Sequence, residues 1–385
     1  MDSSSSARRI AAIKKAPVDA DRSNQFREGR EADGLSRSAR PNASGRGKAR
    51  QAPRGIREDI LTTGEVCIYN AWWRQAVKRA GNSGSVEYDV KSGEGERLPA
   101  IEVVAPARLT TPCIFASPHS GRRYPPELLR MSRLDRHALR QSEDSYVDLL
   151  FEPAPAYGAP LLRALFPRAW VDVNRSRDEL DQRMFADPLP TTADTRSNRV
   201  RAGLGVIPRI VADGQDIYDR KLRFFEARRR LVDCYDPYHE ALAGLVAAAR
   251  AKFGCAVIID CHSMPSAGGA PFREGDRQID FVLGDRFGAS CAPAAAAIVE
   301  TALAACGYLV SRNAPYAGGH VAAAYGRPAD GVHVLQIEIN RALYLDEKRI
   351  ARTAAFETLK RHLQSVIAEL SRVSPAALRP AQAAE

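Results

Sequence analysis

From about Leu98 onward, short runs of apolar and β-branched residues alternate with longer segments of helical pattern. This alternation is typical of a sheet whose strands are connected by helices, and it indicates an α/β domain. The predicted strands are residues 113–117, 160–166, 169–173, 256–261, 279–284 and 332–339.

Three segments carry the helical pattern. Residues 126–150 begin with prolines suited to a first helical turn, and about 217–252 are interrupted near Pro237 and end at Gly254. An alanine-rich third helix is predicted over residues 293–306, because Gly307 ends it.

Composition supports a folded domain with tails. The chain has 385 residues, 45% of them hydrophobic, which excludes a wholly disordered protein, a collagen-like fibre and a small disulfide scaffold. We expect a disordered basic tail over residues 1–55, a weakly structured extension over 56–97, a catalytic domain over 98–373 and a disordered tail over 374–385.

Charge is concentrated in the N-terminal tail. Residues 1–54 hold 13 Lys or Arg against 6 Asp or Glu, and this surplus of seven is most of the net charge of +10. The body of the chain is therefore not a basic, nucleic-acid-binding protein. A solvated tail is the preferred interpretation, and a transit peptide or a tether to nucleic acid or an anionic membrane are the alternatives.

Cysteine usage and hydropathy bear on location. Seven cysteines are scattered without a C-x-x-C pair, a pattern typical of reduced, buried thiols. The sequence shows neither a run of about 18 apolar residues nor an apolar signal region at the N-terminus. We therefore expect a cytoplasmic protein with no membrane partner.

P-loop, Rossmann and G-x-S-x-G motifs are also missing from the sequence, which disfavours nucleotide binding and a serine hydrolase.

Polar side chains follow several predicted strands where each strand ends. His119, His262 and the pair Asn174-Arg175 come after such runs, and Glu338 lies inside the last run. In open α/β sheets, ligands bind beyond the carboxyl ends of the strands. These residues form a site if their strands are neighbours, which the sequence does not reveal.

Each of these residues also has a simple structural interpretation. Two histidines and a carboxylate are a common catalytic zinc set, but each histidine is equally consistent with a hydrogen bond to backbone at a strand end. Asn174-Arg175 suits a substrate carboxylate, or Arg175 pairs with a nearby acidic residue. Glu338 is costly to bury unpaired, so it either serves function or reaches solvent because the strand ends before it.

Taken in order, these segments resemble the N-formylglutamate amidohydrolase (deformylase) family. The resemblance covers about residues 100–350. The matching text is Ser117-Pro118-His119-Ser120-Gly121 with Tyr124-Pro125, Glu143-Asp144 with Val147-Asp148, Pro167-Arg168-Ala169, Val171-Asp172-Val173-Asn174-Arg175, Glu179-Leu180-Asp181, Gly203-Leu204-Gly205, Asp260-Cys261-His262-Ser263-Met264, Asn313-x-Pro315-Tyr316-x-Gly318-Gly319, and Gln336-Ile337-Glu338-Ile339-Asn340-Arg341 with Tyr344.

The resemblance implies a fold and a metal. The family is distantly similar to zinc carboxypeptidases and aspartoacylase, which implies a single three-layer α/β domain with a central mixed sheet flanked by helices. His119 and His262 are then ligands of Zn²⁺ or another divalent metal. The H-x-x-E spacing of those relatives is missing, because Arg122 stands three residues after His119. Asp144 is therefore the preferred carboxylate ligand and Glu143 the fallback.

The resemblance also implies the remaining roles and the reaction. Asn174 and Arg175 grip the substrate carboxylate, Arg341 helps to anchor substrate, Arg168 steadies the oxyanion, and Glu338 is the general base. The expected reaction is hydrolysis of N-formyl-L-glutamate to formate and L-glutamate.

Two further functions stay open on the same fold. One is a metal-dependent deacylase of another N-acyl amino acid or a small carboxypeptidase; the other is a binding protein without metal. In each enzymatic case the partner is a small N-acyl amino acid or peptide, and the oligomeric state is left open.

Overall fold

The computed structural model describes residues 85–87, 99–211, 214–266, 273–274 and 277–378. All of these belong to one compact unit, Glu58–Glu385. The predicted tail over 1–55 and nearly all of the extension over 56–97 lie outside the described residues. At the other end, Pro375–Leu378 forms a turn of 3₁₀ helix with Leu378 buried, and residues 379–385 lie outside the described part.

Eight strands form the central sheet, in the order β1-β2-β4-β3-β5-β10-β8-β9. Strands β4, β3, β5 and β10 run parallel to one another, as do β8 and β9, whereas β1/β2, β2/β4 and β10/β8 are antiparallel. The predicted mixed sheet is therefore confirmed. The described strands are β1 (Ser85–Glu87), β2 (Ile101–Val104), β3 (Cys113–Ser117), β4 (Leu161–Ala164), β5 (Ala256–Met264), β6 (Arg273–Glu274), β7 (Arg277–Gln278), β8 (Phe281–Gly284), β9 (Val310–Arg312), β10 (Val332–Asn340), β11 (Leu345–Asp346) and β12 (Ala351–Arg352).

Helices cover both faces of this sheet. The longest, α6, packs on one face, while α7 and α9 pack together on the other. The described α-helices are α1 (Pro126–Met131), α2 (Arg136–Arg140), α3 (Val147–Leu150), α4 (Asn198–Arg201), α5 (Phe224–Arg230), α6 (Asp236–Phe253), α7 (Pro293–Ala305), α8 (His320–Tyr325) and α9 (Phe356–Ser371). None of these helices is both long enough and apolar enough to cross a membrane.

Two sequence predictions are wrong. Residues 169–173 form a buried turn and loop, not a strand, because Trp170 N–H bonds back to Pro167 and Asp172 N–H bonds to the loop residue Val206. The helix predicted over 126–150 is three short helices, α1 to α3. Asp135 caps a new helix start through its side chain, and Tyr146 adopts a left-handed φ of 65°.

The other predicted elements are confirmed, β3 with the predicted ends and the rest with shifted ends. The long helix begins at Phe224 rather than near residue 217, and a π-helical segment, Leu231–Tyr235, lies just before Pro237. Gly254 ends it with a positive φ of 75°, as predicted. Strands β2 and β9 and helix α9 were not predicted.

The central strands β5 and β10 change character along one face. Alternate residues on β5 and β10 form an apolar face buried against α7 and α9 (Val257, Ile259, Cys261, Leu335, Ile337 and Ile339). The opposite face begins with Ile258 and Val334 in the core beneath α6. By the two-residue period of a strand it continues with Asp260 and His262 on β5 and with Gln336 and Glu338 on β10. This polar half-face is where the strands reach their carboxyl ends.

Candidate active site

Three of the predicted site residues lie at the carboxyl ends of neighbouring strands. Strand β5 lies between β3 and β10 and is parallel to both. His119 follows β3 after Pro118, His262 lies near the end of β5, and Glu338 is the register partner of His262 on β10. The adjacency that the sequence does not reveal is therefore present in the fold.

His119, His262 and Asp144 converge as a possible metal-binding set. One ligand atom from each lies within 4.8 Å of the others, and all three residues are buried. Asp144 Oδ2 lies 3.3 Å from His119 Nδ1 and 3.0 Å from His262 Nδ1. Two imidazoles and a carboxylate are a common catalytic zinc donor set, so these residues fit such an ion.

Glu143, the fallback ligand, points its carboxylate elsewhere. Its Oε1 accepts hydrogen bonds from Tyr124 Oη at 2.7 Å and from Arg140 Nε at 3.1 Å. Its Oε2 accepts a hydrogen bond from Ser145 Oγ at 2.8 Å. The described structure therefore brings Asp144, and not Glu143, to the histidines.

A second carboxylate lies behind each histidine. His119 Nε2 is 2.7 Å from Asp172 Oδ1, and His262 Nε2 is 2.9 Å from Asp260 Oδ2. Such a partner favours a proton on Nε2, which leaves the Nδ1 lone pair of each ring facing Asp144, and it orients metal-binding histidines in proteins generally. The alternative interpretation was a hydrogen bond from each ring to backbone. Both nitrogens of each ring instead lie close to carboxylate oxygens.

Electrostatics at this cluster follow from the same contacts. Burial raises the pKa of a carboxyl, but the neighbouring side chains of His119 and His262 outweigh it and hold the pKa of Asp144 well below its ordinary value. Burial likewise opposes the charged imidazole, yet Asp260 and Asp144 raise the pKa of His262 well above its ordinary value. The pocket strongly favours positive charge between these groups.

Arg168 lies beside the cluster and is held in place by a carboxylate. Its Nε donates to Asp172 Oδ2 at 2.9 Å. Although burial lowers the pKa of Arg168, the negative charges of Asp172, Asp144 and Glu338 raise it above its ordinary value. Arg168 therefore stays positively charged, close to both the predicted metal ligands and the predicted base.

Asn174 is engaged within the protein. Its Nδ2 donates to Asp260 Oδ2 at 3.0 Å, and its Oδ1 accepts Val321 N–H at 2.8 Å. A Cβ at position 319 would lie 2.6 Å from this amide, so only glycine there leaves room for it. Gly319 therefore allows the loop backbone to pack directly against the Asn174 amide.

Arg175 is buried, and the acidic residue that it pairs with is Asp172. Its Nε donates to Leu204 O at 3.0 Å, its Nη1 donates to Asn174 O at 2.7 Å, and its Nη2 lies 3.5 Å from Asp172 Oδ2. Burial lowers the pKa of Arg175 to about 10. The guanidinium is therefore aligned by two neutral carbonyls and lies close to the carboxylate of Asp172.

Glu338 is buried, because β10 continues past it to Asn340; the interpretation that the strand ends before it is wrong. Its Oε1 accepts a hydrogen bond from Gln336 Nε2 at 2.9 Å. Burial raises the pKa of Glu338 to about 7, with a further rise from Asp144 and Asp260 and a counteracting effect of His262 and Arg168. Gln336 is a supporting residue that the sequence analysis did not identify.

Arg341 lies on the other side of Asp144. Its Nη2 lies 3.2 Å from Asp144 Oδ1, and its Nε donates to Ser263 Oγ at 3.1 Å. The structure therefore places all eight predicted site residues around one centre, although Arg341 faces Asp144, the predicted carboxylate ligand. Asp172 and Asp260 were missed as site residues, even though both lie inside quoted motifs.

Comparison with known proteins gives a consistent result. Residues 111–345 match the family model described as N-formylglutamate amidohydrolase. The chain is 33% identical over 250 residues to the N-formylglutamate deformylase of Pseudomonas aeruginosa, covering 64% of this chain and 87% of that protein. It is 28% identical over 239 residues to the enzyme of the same name from Pseudomonas putida, covering 61% and 82%.

A solved structure agrees with these matches. The crystal structure of N-formylglutamate amidohydrolase from Ralstonia eutropha is similar with a TM-score of 0.66 and 37% sequence identity. The match covers 71% of this chain and 97% of that one. The candidate site residues, from His119 to Arg341, all lie within the matched residues 111–345.

Proposed function

Because the chain belongs to the N-formylglutamate amidohydrolase family, we propose that it hydrolyses the amide bond of N-formyl-L-glutamate to formate and L-glutamate. The observation that carries the proposal is the convergence of His119 Nδ1, His262 Nδ1 and Asp144 Oδ2, with Glu338 in register beside His262. Water and an amide react slowly at neutral pH without a catalyst. The three donor residues offer a position for a metal ion, and Glu338 offers a proton acceptor.

We assign the metal position to His119, His262 and Asp144, and we propose Zn²⁺ as the ion. When bound, zinc polarises a carbonyl and lowers the pKa of water. Asp172 and Asp260 hold the two rings so that both Nδ1 lone pairs face one point. The protein thus fixes the donor geometry before any ion arrives.

Glu338 is proposed as the general base. It lies beside His262 on the next strand, and Gln336 holds one of its oxygens, so the carboxylate has a fixed position. It accepts a proton from the attacking water and delivers it to the nitrogen of the leaving glutamate as the C–N bond breaks. Such proton transfer contributes about 10²–10⁴-fold to the rate.

The arginines are proposed to recognise charge on the substrate. Arg168 donates to the oxygen on which negative charge develops during attack on the formyl carbon. Asn174 and Arg175 bind a carboxylate of glutamate and fix the orientation of the amide. Asn174 and Arg175 both have protein partners, so each binds substrate only through the N–H groups that those partners leave or release.

The charge of the site suits a doubly negative substrate. Asp144, Asp172, Asp260 and an ionised Glu338 face Arg168, Arg175 and Arg341, which leaves one excess negative charge when both imidazoles are neutral. A divalent cation turns this into one excess positive charge. N-formyl-L-glutamate carries two carboxylates, so the metal-loaded site attracts it.

The test is one purified, chelator-treated batch of the full chain with zinc added back. We expect about one zinc per chain and chelator-sensitive formate release from N-formyl-L-glutamate. N-acetyl-L-glutamate serves as the matched control for the acyl group. Zinc binding with faster turnover of the acetyl substrate would favour the alternative deacylase, and a chain that neither binds zinc nor releases formate would contradict the proposal.

The expected cytoplasmic location stays a prediction. Five of the six described cysteines are buried, as expected from the sequence.

A further inference from the structure

Asp144 has two oxygens with different surroundings. Oδ2 faces the Nδ1 atoms of His119 and His262, which is the proposed metal position. Oδ1 instead accepts a hydrogen bond from Ser263 Oγ at 3.1 Å and lies 3.2 Å from Arg341 Nη2, which also donates to it. One oxygen of the carboxylate is therefore presented to the ion while the other is held by the protein.

Three of the five N–H groups of Arg341 are used by this arrangement. An arginine has five N–H donors. Arg341 Nη2 donates to both Asp144 Oδ1 and the backbone oxygen of Glu143, at 2.7 Å for the latter, and Nε donates to Ser263 Oγ at 3.1 Å. Its Nη1 lies 3.9 Å from Glu347 Oε2.

These contacts leave little of Arg341 for a substrate carboxylate. A substrate anchor needs a free planar edge of the guanidinium that presents two parallel N–H groups. In Arg341 the edge formed by Nε and Nη2 is occupied by the protein, and Nη1 faces a carboxylate.

We propose that Arg341, together with Ser263, is a positioning residue that fixes the orientation of the metal ligand Asp144, and that it does not anchor substrate. Arg341 and Ser263 hold Oδ1, which sets the rotation of the carboxylate and keeps Oδ2 aimed at the two histidines. Arg341 also bonds the backbone of Glu143, so it holds the carboxylate and the chain that carries it. This proposal depends on the proposed metal site but not on the identity of the substrate.

The experiment measures zinc affinity in the absence of substrate, by competition with a chromophoric chelator. The variants are Arg341→Lys, Ser263→Ala and, as the matched control, Arg175→Lys. For Arg341→Lys we expect zinc affinity to fall by about 10–100-fold, because outer partners of metal ligands have effects of this size. Ser263→Ala should show a smaller loss in the same direction, and Arg175→Lys should bind zinc as the parent chain does.

Kinetics at saturating zinc separate the two roles of an arginine. With N-formyl-L-glutamate we expect Arg175→Lys to raise KM and Arg341→Lys to leave KM near the parent value. The visible absorption of the Co²⁺-loaded chain should change in Arg341→Lys and not in Arg175→Lys, because it reports ligand geometry. A raised KM with unchanged zinc affinity in Arg341→Lys would overturn the proposal.

Two controls keep the result interpretable. If Arg341→Lys fails to fold, Ser263→Ala decides the question, because it removes a donor to the same oxygen with a small change of volume; unchanged zinc affinity there overturns the proposal. A parent chain that binds zinc but releases no formate would contradict the proposed function. The zinc titrations would still test the role of Arg341. A parent chain that binds no divalent metal overturns this inference as well.

Discussion

The two faces of β5 and β10 use the same backbone for opposite purposes. On one face, Ile259 and Ile337 belong to a wholly apolar layer against α7 and α9. On the other, the adjacent positions Asp260 and Glu338 are equally buried but ionisable. Both faces exclude water, so burial alone does not distinguish a core from an active site.

The difference lies in what each buried group contacts. An apolar side chain stabilises the fold by leaving water, at about 25 cal/mol per Å² of area. A buried carboxylate is tolerated only with partners, and Glu338 and Asp260 have them in Gln336 and Asn174. Asp260 Oδ1 is nevertheless buried without a hydrogen-bond partner among the described residues. The buried polar groups of this half-face therefore lower the free energy of unfolding, while their contacts keep the site residues in fixed positions.

The largest expected effect is on the polar face. Glu338→Gln should lower formate release by about 10²–10⁴-fold, because the amide cannot accept the proton from water. Zinc content and the free energy of unfolding should stay near those of the parent chain, since the side-chain volume is unchanged. Turnover assays with metal analysis on the same sample check this, and near-normal turnover would show that Glu338 is not the base.

The adjacent residue on the apolar face should give the opposite pattern. Ile337→Ala should lower the free energy of unfolding by about 2–5 kcal/mol, because it leaves a cavity in a fully buried layer. The folded fraction should retain kcat within a few-fold. Urea unfolding monitored by circular dichroism measures the stability, and a loss of kcat with unchanged stability would contradict the separation of the two faces.

Replacing a carboxylate that holds a proposed metal-binding histidine should have an effect of intermediate size. Asp260→Asn should lower zinc affinity by about 10–100-fold, because the amide holds the imidazole of His262 less firmly. Asp172→Asn is the matched substitution behind His119 and should act in the same direction. Chelator competition measures both, and an unaltered affinity in both variants would remove these aspartates from the site.

The smallest effect should come from a residue on neither face. Asp135 caps α2 by accepting Ala138 N–H at 2.8 Å on an exposed surface. Asp135→Ala should lower the free energy of unfolding by about 1 kcal/mol and change neither zinc affinity nor turnover. This variant sets the baseline in the same unfolding and turnover assays, and an altered zinc affinity here would mean that stability and metal binding are not separable.

The residues at strand ends could be predicted because their signal is local. His119, His262 and Glu338 each interrupt or follow an apolar run, which identifies them without knowledge of the fold. Asp260 was also accessible, since residues two apart on a strand share a face with one another and it lies two before His262. Asp172 was not, because it reaches His119 from a distant loop through tertiary contacts.

The same reasoning explains the errors in secondary structure. Residues 169–173 contain Val171 and Val173, which are buried, but their burial comes from packing in a loop rather than from pairing in the sheet. Helix 126–150 has a continuous helical pattern, yet Asp135 starts a new helix and Tyr146 adopts a left-handed conformation. Tertiary packing decides such positions, and local pattern does not report it.

Because the site depends on the register of β10 against β5, catalytic turnover reports whether the two strands are paired correctly. Glu338 lies opposite His262, and a slip of one residue would turn Glu338 into the apolar layer and an isoleucine into the site. A chain paired in the wrong register can therefore be compact and rich in strand yet inactive. During refolding, the recovery of activity relative to the recovery of circular dichroism would count the molecules that have found the native pairing.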